Sequence, residues 1–287
     1  MKKIQVGFLM SYDYELLKNS IPPIYNEADE IFIALDKDQK TWSGKRIDID
    51  PNFFTWLNDF DLNNKITIYK DNFYDPALDP MENEVRERKM LGHKMGIGNW
   101  LVQIDSDEYF IDFKNFVKEL RKRDDYLDEP EKNQIQIAGF FINLYKYVEN
   151  GILYVDESRN QKFATNYPGY RTGRNSKQRV IYTKNLILHE CLSRSEEEIK
   201  TKFENWGHSH QVNYNNFITK WRKIDSSNYK DFQDFFYLEP EKWKNLALVK
   251  GKSISEISKN LNYNSLMPSS LFLRKKNFGQ WFKFLFK

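Results

Sequence analysis

The sequence predicts an α/β fold followed by a mostly helical C-terminal extension, and three observations support this. Short apolar runs at residues 4–10, 30–36 and 100–105 predict buried strands, and segments with helical spacing separate them. The second and third runs end on the carboxylates Asp36 and Asp105. Buried parallel strands that carry a ligand site at their carboxyl ends show this pattern. Late in the chain the alternation stops and the pattern becomes helical.

Each element follows from its local pattern. Ile4–Met10 predicts the first strand rather than a signal peptide, because the apolar run is short and Asp13 follows closely. Ser158–Arg179 is polar and rich in Gly, Asn, Arg and Tyr, which predicts a long functional loop. Further strands are predicted over residues 30–36, 65–69, 100–105, 134–147 (one long or two short strands), 180–182 and 186–188. Helices are predicted over residues 14–19, 83–96 (closed by Gly98) and 113–123.

Composition limits the possible function classes. The 44 Lys and Arg residues nearly balance the 41 Asp and Glu residues, and the formal charge of +3 argues against a nucleic-acid-binding protein. Cys191 is the only cysteine, so no internal disulfide can form and a reducing, cytoplasmic compartment is expected. Aromatic residues make up 16% of the chain, which suits contacts with sugars, nucleobases or a membrane interface. No stretch approaches the roughly 18 apolar residues of a transmembrane helix.

The most informative stretch is the apolar run Trp100–Ile104, which leads directly into Asp105-Ser106-Asp107-Glu108. Side chains two residues apart on an extended strand share a face, so Asp105 and Asp107 can converge on one point while Glu108 points elsewhere. Two converging carboxylates repel each other and need a cation. A ligand set of oxygen atoms favours Mg²⁺ or Mn²⁺ together with substrate phosphate. A solvated acidic turn is the alternative interpretation.

Further motifs accompany this one in a defined order. They are Ser11-Tyr12-Asp13 after the first strand, Asp36 and Asp38 after the second, Arg88, Gly98 and Trp100 ahead of the Asp-x-Asp motif, Gln178–Tyr182 before Leu188-His189-Glu190, and the pair His208 and His210. In this order the set resembles the family 2-like glycosyltransferases of the GT-A fold, particularly those that build bacterial lipopolysaccharide and capsular glycans. The resemblance covers roughly residues 3–210.

The resemblance implies a binding site for a nucleotide-diphosphate sugar donor. The implied contacts are Ser11, Tyr12, Asp13, Asp36, Asp38, Arg88, Asp105, Ser106 and Arg179. Arg86 or Lys89 is the alternative to Arg88, which stands about one residue from the spacing usual in the family. Arg171, Arg174, Lys177 and Arg179 form a basic cluster. These side chains either close over the donor diphosphate or belong to an ordinary solvated loop.

The resemblance also implies a Mn²⁺ or Mg²⁺ ion that bridges the donor phosphates. Its implied ligands are Asp105, Asp107, His208 and His210. Inverting transfer needs a base for the acceptor hydroxyl, and Glu190 is the candidate, with His189 beside it facing the other way. The alternative bases are Asp156, Glu157 and Glu108.

The expected function is therefore a metal-dependent, inverting glycosyltransferase that moves a sugar from a nucleotide-sugar donor to a surface-glycan or lipid-linked acceptor. The expected organisation is a GT-A catalytic domain over residues 1–212 and a helical C-terminal extension over residues 213–287. A metal-dependent phosphohydrolase is one alternative, because it uses the same carboxylates. A non-catalytic glycan-binding protein with the same fold is another.

The tail at residues 271–287 combines five cations and many rings without a single acid. Such a segment suits an interfacial helix on an anionic leaflet, which predicts a peripheral contact with the inner face of the cell membrane. A helix packed on the catalytic domain and a dimer contact are the alternatives.

Overall fold

The computed structural model describes residues 2–285, apart from the side chains of His210 and Pro240. These residues form an α/β fold around a nine-stranded mixed sheet, which confirms the predicted class. The strands are β1 (Ile4–Leu9), β2 (Glu30–Asp36), β3 (Ile66–Asp71), β4 (Trp100–Asp105), β5 (Glu108–Phe110), β6 (Ile135–Val148), β7 (Gly151–Thr165), β8 (Arg179–His189) and β9 (Leu246–Val249). The helices are α1 (Leu17–Ser20), α2 (Pro22–Tyr25), α3 (Pro51–Phe60), α4 (Pro80–Met95), α5 (Phe113–Arg121), α6 (Glu196–Asn205), α7 (Tyr214–Lys223), α8 (Ile254–Asn260), α9 (Tyr263–Leu266) and α10 (Ser270–Leu285).

The first four strands form a parallel half-sheet in the order β3-β2-β1-β4. All of β1 is buried, and its side chains alternate between two layers. Val6 and Phe8 pack into the main core, whereas Leu9 packs into a smaller cluster on the opposite face. Leu9 lies opposite Asp105 of β4 in the parallel register. The loop after β1 therefore lies beside the Asp-x-Asp motif.

Capping residues mark both ends of helix α4. The Asp79 carboxylate accepts from the Glu82 backbone N–H while the Glu82 carboxylate accepts from the Asp79 N–H, and Pro80 occupies the first turn. The helix ends at Gly96, whose φ of 102° favours glycine, rather than at Gly98 as predicted. Propensity alone did not separate the two glycines.

Helix α4 packs directly against β1 at Gly7. A Cβ atom on Gly7 would stand 2.8 Å from Leu91 Cδ2 and 2.8 Å from Met95 Sδ, so a larger residue there would force these two side chains to shift. This close approach fixes α4 over the sheet and directs Glu84 and Arg88 to the end of β4, where both line the same cleft as Asp105.

The second half of the sheet differs from the prediction. Residues 158–165 belong to β7, which pairs antiparallel with β6, so the predicted loop Ser158–Arg179 is shorter than expected. Likewise, β8 is one continuous strand where two short strands were predicted. Both polar segments are held by pairing with the apolar strand β6. In β8, for example, the Thr183 hydroxyl donates to the Ala138 carbonyl. Their own composition does not reveal this pairing.

The segment after residue 212 is mostly helical but also contributes to the sheet. Strand β9, which was not predicted, pairs antiparallel with β7. Aromatic residues such as Trp221 and Trp243 pack with Tyr145 of β6 in a second hydrophobic cluster. The extension thus shares the sheet with the preceding residues, and the boundary at residue 212 stays a prediction. Among the described helices, none is long and apolar enough to cross a membrane.

Candidate functional site

A cleft of about 250 Å³ opens at the carboxyl ends of β1 and β4. Strand β1 has β2 on one side and β4 on the other, so the order of strands along the chain reverses at this point. The predicted site residues that line the cleft are Ser11, Tyr12, Asp13, Arg88, Asp105, Ser106, Asp107 and His208. It is also lined by Glu108, an alternative base, by Arg174 of the predicted basic cluster, and by residues without a predicted site role, among them Trp42, Glu84, His189, Lys202 and Trp206.

Asp105 lies between two arginines. Arg88 Nη2 donates to Asp105 Oδ1 at 2.7 Å, and Arg174 Nη2 lies 3.9 Å from Asp105 Oδ2. Burial opposes ionisation of Asp105, but Arg88 and Arg174 outweigh it and lower the carboxyl pKa. Arg88 is itself oriented by Glu84, which accepts from its Nε at 2.9 Å. Asp105 is therefore ionised and already paired.

Glu108 does not point away from the site as predicted. It begins β5 and is almost fully buried. Its two oxygens form a bidentate ion pair with Nη1 and Nη2 of Arg174. Its Oε2 also accepts from the Asp105 backbone N–H at 3.2 Å. Burial raises the pKa of Glu108 although Arg174 opposes the shift. The turn between β4 and β5 thus brings a third carboxylate into the site, which the alternation of one extended strand did not predict.

Asp107 is held by cations from the far part of the chain. Its Oδ2 accepts from Arg194 Nη2 at 2.6 Å and from Lys202 Nζ at 2.6 Å. The carboxyl is buried, but Lys202, His189 and Arg194 outweigh that penalty and lower its pKa well below the usual value. Helix α6 carries Lys202 and begins with a capping box at Ser195, directly after Arg194. Capping of α6 therefore also positions the two cations.

His189 faces the site, contrary to the prediction. Its Nδ1 lies 2.8 Å from Asn143 Oδ1, and its ring stacks on Phe141 at 4.6 Å between centroids. These contacts direct Nε2 to within 3.6 Å of Asp107 Oδ2. The three side chains Asp107, Glu108 and His189 offer ligand atoms within 4.8 Å of one another. This buried cluster could hold a divalent metal ion.

The two carboxylates of this cluster already have cationic partners, which affects how a metal ion would fit. Asp107 Oδ2 already accepts hydrogen bonds from Arg194 and Lys202, and both oxygens of Glu108 accept from Arg174. An ion bound there competes with these cations for the carboxylate oxygens. The donor set of two carboxylates and one imidazole otherwise suits a divalent cation.

The predicted metal ligands are only partly brought together. Asp107 belongs to the cluster, whereas Asp105 stands beside it in the arginine pair. The side chain of His208 lines the cleft and lies 2.9 Å from Gln211 Oε1 through Nδ1, and it is not in the cluster found among the described residues. The side chain of His210 lies outside the described residues.

Glu190, the predicted base, is not among the residues that line the cleft, but it lies next to Asp107. Its backbone N–H donates to the Asp107 carbonyl at 2.8 Å, and its side chain accepts from the Tyr109 hydroxyl. Burial raises its pKa, although Tyr109 and Arg194 act in the opposite direction. Asp13, which lines the cleft beside Arg194, also has a pKa raised by burial. Two carboxyl groups with raised pKa values thus flank Asp107.

Asp36 has a structural role in this structure. Its Oδ1 accepts from the backbone N–H groups of Asp38 and Lys40, and its Oδ2 accepts from those of Phe73 and Tyr74. These four bonds tie the loops after β2 and β3 together and use both oxygens. The predicted nucleotide contact of Asp36 has no such geometry here, because the side chain is turned toward backbone amides.

Other predicted residues also lie away from the cleft. Asp38 is exposed, and Arg179 Nη1 donates to the Tyr126 hydroxyl at 3.3 Å. The alternative bases Asp156 and Glu157 are exposed on β7. Of the two alternatives to Arg88, Arg86 binds the backbone carbonyls of residues 72 and 73, and Lys89 is exposed.

Two buried donors in the cleft wall have no partner among the described residues. Among the described residues, neither Arg88 Nη1 nor Trp206 Nε1 has a hydrogen-bond acceptor, although both atoms are buried. Buried polar groups are normally paired, so each unpaired donor indicates a position for water, an ion or a ligand. Both residues line the cleft.

No family of known proteins and no curated protein matches the chain. Among the solved structures that overlap part of it are the following two. That of TarS residues 1–349 from S. aureus is 14% identical with a TM-score of 0.29, and the match covers 53% of this chain and 37% of that one. That of mannose-6-phosphate isomerase from Helicobacter pylori is 11% identical with a TM-score of 0.29, covering 71% and 66%. This chain thus spans less than two thirds of either structure, and at these TM-scores neither overlap informs its fold or function.

Proposed function

We propose that this chain is a glycosyltransferase with a GT-A catalytic domain that moves a sugar from a nucleotide-diphosphate donor to an acceptor hydroxyl. The observation that carries the proposal is the position of the cleft. It lies between the carboxyl ends of β1 and β4, where the order of strands reverses. Open α/β sheets bind nucleotides at such a reversal point. The ordered motifs from residue 11 to residue 190 support the same class.

The cleft offers a diphosphate three cations beside the carboxylates Asp13, Glu84, Asp105, Asp107 and Glu108. Arg88 presents a buried, unpaired Nη1, and Arg174 and Lys202 line the same walls. Guanidinium groups form short, directional bonds with phosphate oxygens. Trp42 and Trp206 add flat apolar surfaces on which a base or a sugar ring can stack. Phosphate oxygens would thus meet cations while the rings of the donor meet aromatic walls.

A Mn²⁺ or Mg²⁺ ion, when bound, would neutralise the charge that develops on the leaving diphosphate. Asp107, Glu108 and His189 are the side chains that would hold it. Arg194 and Lys202 keep Asp107 ionised without the ion, because they lower its pKa. The chain thus maintains the carboxylate in the form that a cation needs.

Glu190 is the proposed base that takes the proton from the acceptor hydroxyl. Its raised pKa makes it a stronger proton acceptor than an ordinary glutamate, and Tyr109 fixes one of its oxygens. Asp13 is the competing candidate, because it lines the cleft and its pKa is also raised. The proposed acceptor is a growing surface glycan, of the lipopolysaccharide or capsule class, or a lipid-linked sugar.

Donor hydrolysis tests the proposal directly. The purified chain is incubated with uridine, guanosine and thymidine diphosphate sugars, with and without Mn²⁺, and release of the nucleotide diphosphate is measured. We expect hydrolysis of one donor class, lost in Arg88→Met and retained in Lys89→Met, its exposed neighbour on α4. Release of inorganic phosphate from simple phosphate esters would instead identify a phosphohydrolase. Sugar binding without turnover of any donor would identify a glycan-binding protein.

A further inference from the structure

Helix α10 is fixed to the sheet along one side. Asn277 Oδ1 accepts from the Tyr182 backbone N–H at 2.8 Å, and Gln280 Oε1 accepts from the Val180 N–H at 3.1 Å. Asn277 Nδ2 also donates to the Tyr182 carbonyl at 3.0 Å. The two amide side chains therefore satisfy the edge of β8 that β6 leaves open, and Leu273 is buried beside them.

The opposite side of α10 is apolar and exposed. Leu271, Phe278, Phe282 and Leu285 are 63%, 63%, 52% and 54% exposed. Their spacing along an α-helix places them on one stripe that faces away from the side held by β8. Trp281 borders this stripe, and its ring contacts Phe278. We call this set of five residues the outer face of α10.

The charged residues that flank the outer face are all positive. The cations of the helix are Arg274, Lys275, Lys276 and Lys283, all exposed, and the helix contains no Asp or Glu. Six of the nine large hydrophobic side chains exposed among the described residues belong to this one helix. Solvent alone does not favour such a cluster of exposed rings.

We propose that the outer face of α10 docks onto an anionic membrane surface, with the helix axis in the plane of the interface. Its apolar stripe suits the boundary between headgroups and acyl chains, and its cations suit anionic headgroups. A second copy of the chain is a poorer occupant, because two outer faces brought together would place like charges against each other. The contacts with β8 hold the helix in place, so docking orients the whole sheet. The proposal stands on α10 alone and does not require the glycosyltransferase activity.

Vesicle flotation of the full chain tests this docking. The vesicles contain phosphatidylcholine alone or phosphatidylcholine mixed with phosphatidylglycerol. We expect flotation with the anionic vesicles only, weakened as salt rises because exposed charges are screened over about 8 Å at physiological ionic strength. Replacing Lys275 and Lys276 with glutamine should lower the binding constant by roughly thirtyfold. Point variants are preferable to deleting residues 271–287, because deletion would expose the edge of β8.

The apolar contribution is tested by the double variant Phe278→Ser, Phe282→Ser. We expect it to lose flotation while its Tm changes little, since both rings are more than half exposed. Leu62→Ser is the matched control, because Leu62 is 84% exposed but lies outside α10, and it should float like the unmodified chain. Equal flotation of the Phe278/Phe282 variant and the control would overturn the proposal. So would a concentration-dependent dimer that only the phenylalanine variant abolishes.

Discussion

Replacing Lys202 with methionine should weaken the fold and strengthen binding of a divalent cation. Lys202 Nζ lies 2.6 Å from Asp107 Oδ2, and both side chains are nine-tenths buried. At an effective dielectric constant of about 20, opposite unit charges at this distance attract by roughly 6 kcal/mol. The cost of burying the ammonium group offsets most of this attraction. Methionine keeps much of the apolar stem and removes only the charge.

The substitution therefore removes the net contribution of one charge-assisted hydrogen bond to stability, because Asp107 keeps Arg194 and His189 as partners. We expect a loss of about 2 kcal/mol of unfolding free energy, or roughly 3 °C in Tm for a chain of 287 residues. The second effect has the opposite sign. With Lys202 gone, a cation competes with one group fewer for Asp107, so Mn²⁺ should raise the Tm of the variant more than that of the unmodified chain.

Thermal unfolding with and without Mn²⁺ measures both effects, and titration calorimetry gives the affinity. Lys200→Met is the matched control, because Lys200 lies on α6 but is exposed. If Lys202→Met and Lys200→Met unfold at the same temperature, the ion pair contributes nothing. If Mn²⁺ stabilises Lys202→Met no more than the unmodified chain, the cation and the lysine do not share Asp107.

The parallel half of the fold could be predicted from sequence, and the rest could not, for a physical reason. The strands β1, β2 and β4 are buried on both faces, so each is a continuous apolar run that stands out in the sequence. The polar end of β7 and the middle of β8 are strands only because β6 pairs with them. Pairing depends on residues distant in the chain, and no local pattern encodes it.

The candidate site shows the same limit. Asp105, Asp107 and Arg88 were identified from order and spacing, and the structure places all three in one cleft. Arg194 and Lys202 reach Asp107 across 87 and 95 residues of chain, and they carry no motif. A pair of carboxylates signals that a cation is needed, but it does not show whether an ion or the chain's own side chains supply it.

Asp36 illustrates the converse difficulty. An aspartate at the carboxyl end of a buried strand was interpreted as a nucleotide contact, but its oxygens accept from the backbone of the adjoining loops. The same position in the sequence suits both uses, because a ligand hydroxyl and a backbone N–H are both donors. Only the path of the loop after β3, which brings Phe73 and Tyr74 to the carboxylate, separates them.

Three further predictions concern the carboxyl groups of Asp36, Glu190 and Asp13. Asp36→Asn should cost about 1–3 kcal/mol in urea unfolding, because it weakens bonds to buried amides, and it should leave donor affinity unchanged; weaker donor binding would restore the nucleotide role. Glu190→Gln should cut turnover by roughly 10²-fold or more at near-normal donor affinity, whereas Asp13→Asn should retain most of the turnover, and the reverse ranking would make Asp13 the base. Tyr109→Phe should move the acidic limb of the pH–rate profile to higher pH. Burial raises the pKa of Glu190, and the hydroxyl of Tyr109 opposes that shift by donating to the ionised form, so its removal raises the pKa further. A base works only when ionised, and its rate falls as the pH drops through its pKa. The higher pKa in the variant therefore brings the fall at a higher pH, and a limb that stays in place would show that Glu190 does not control the rate.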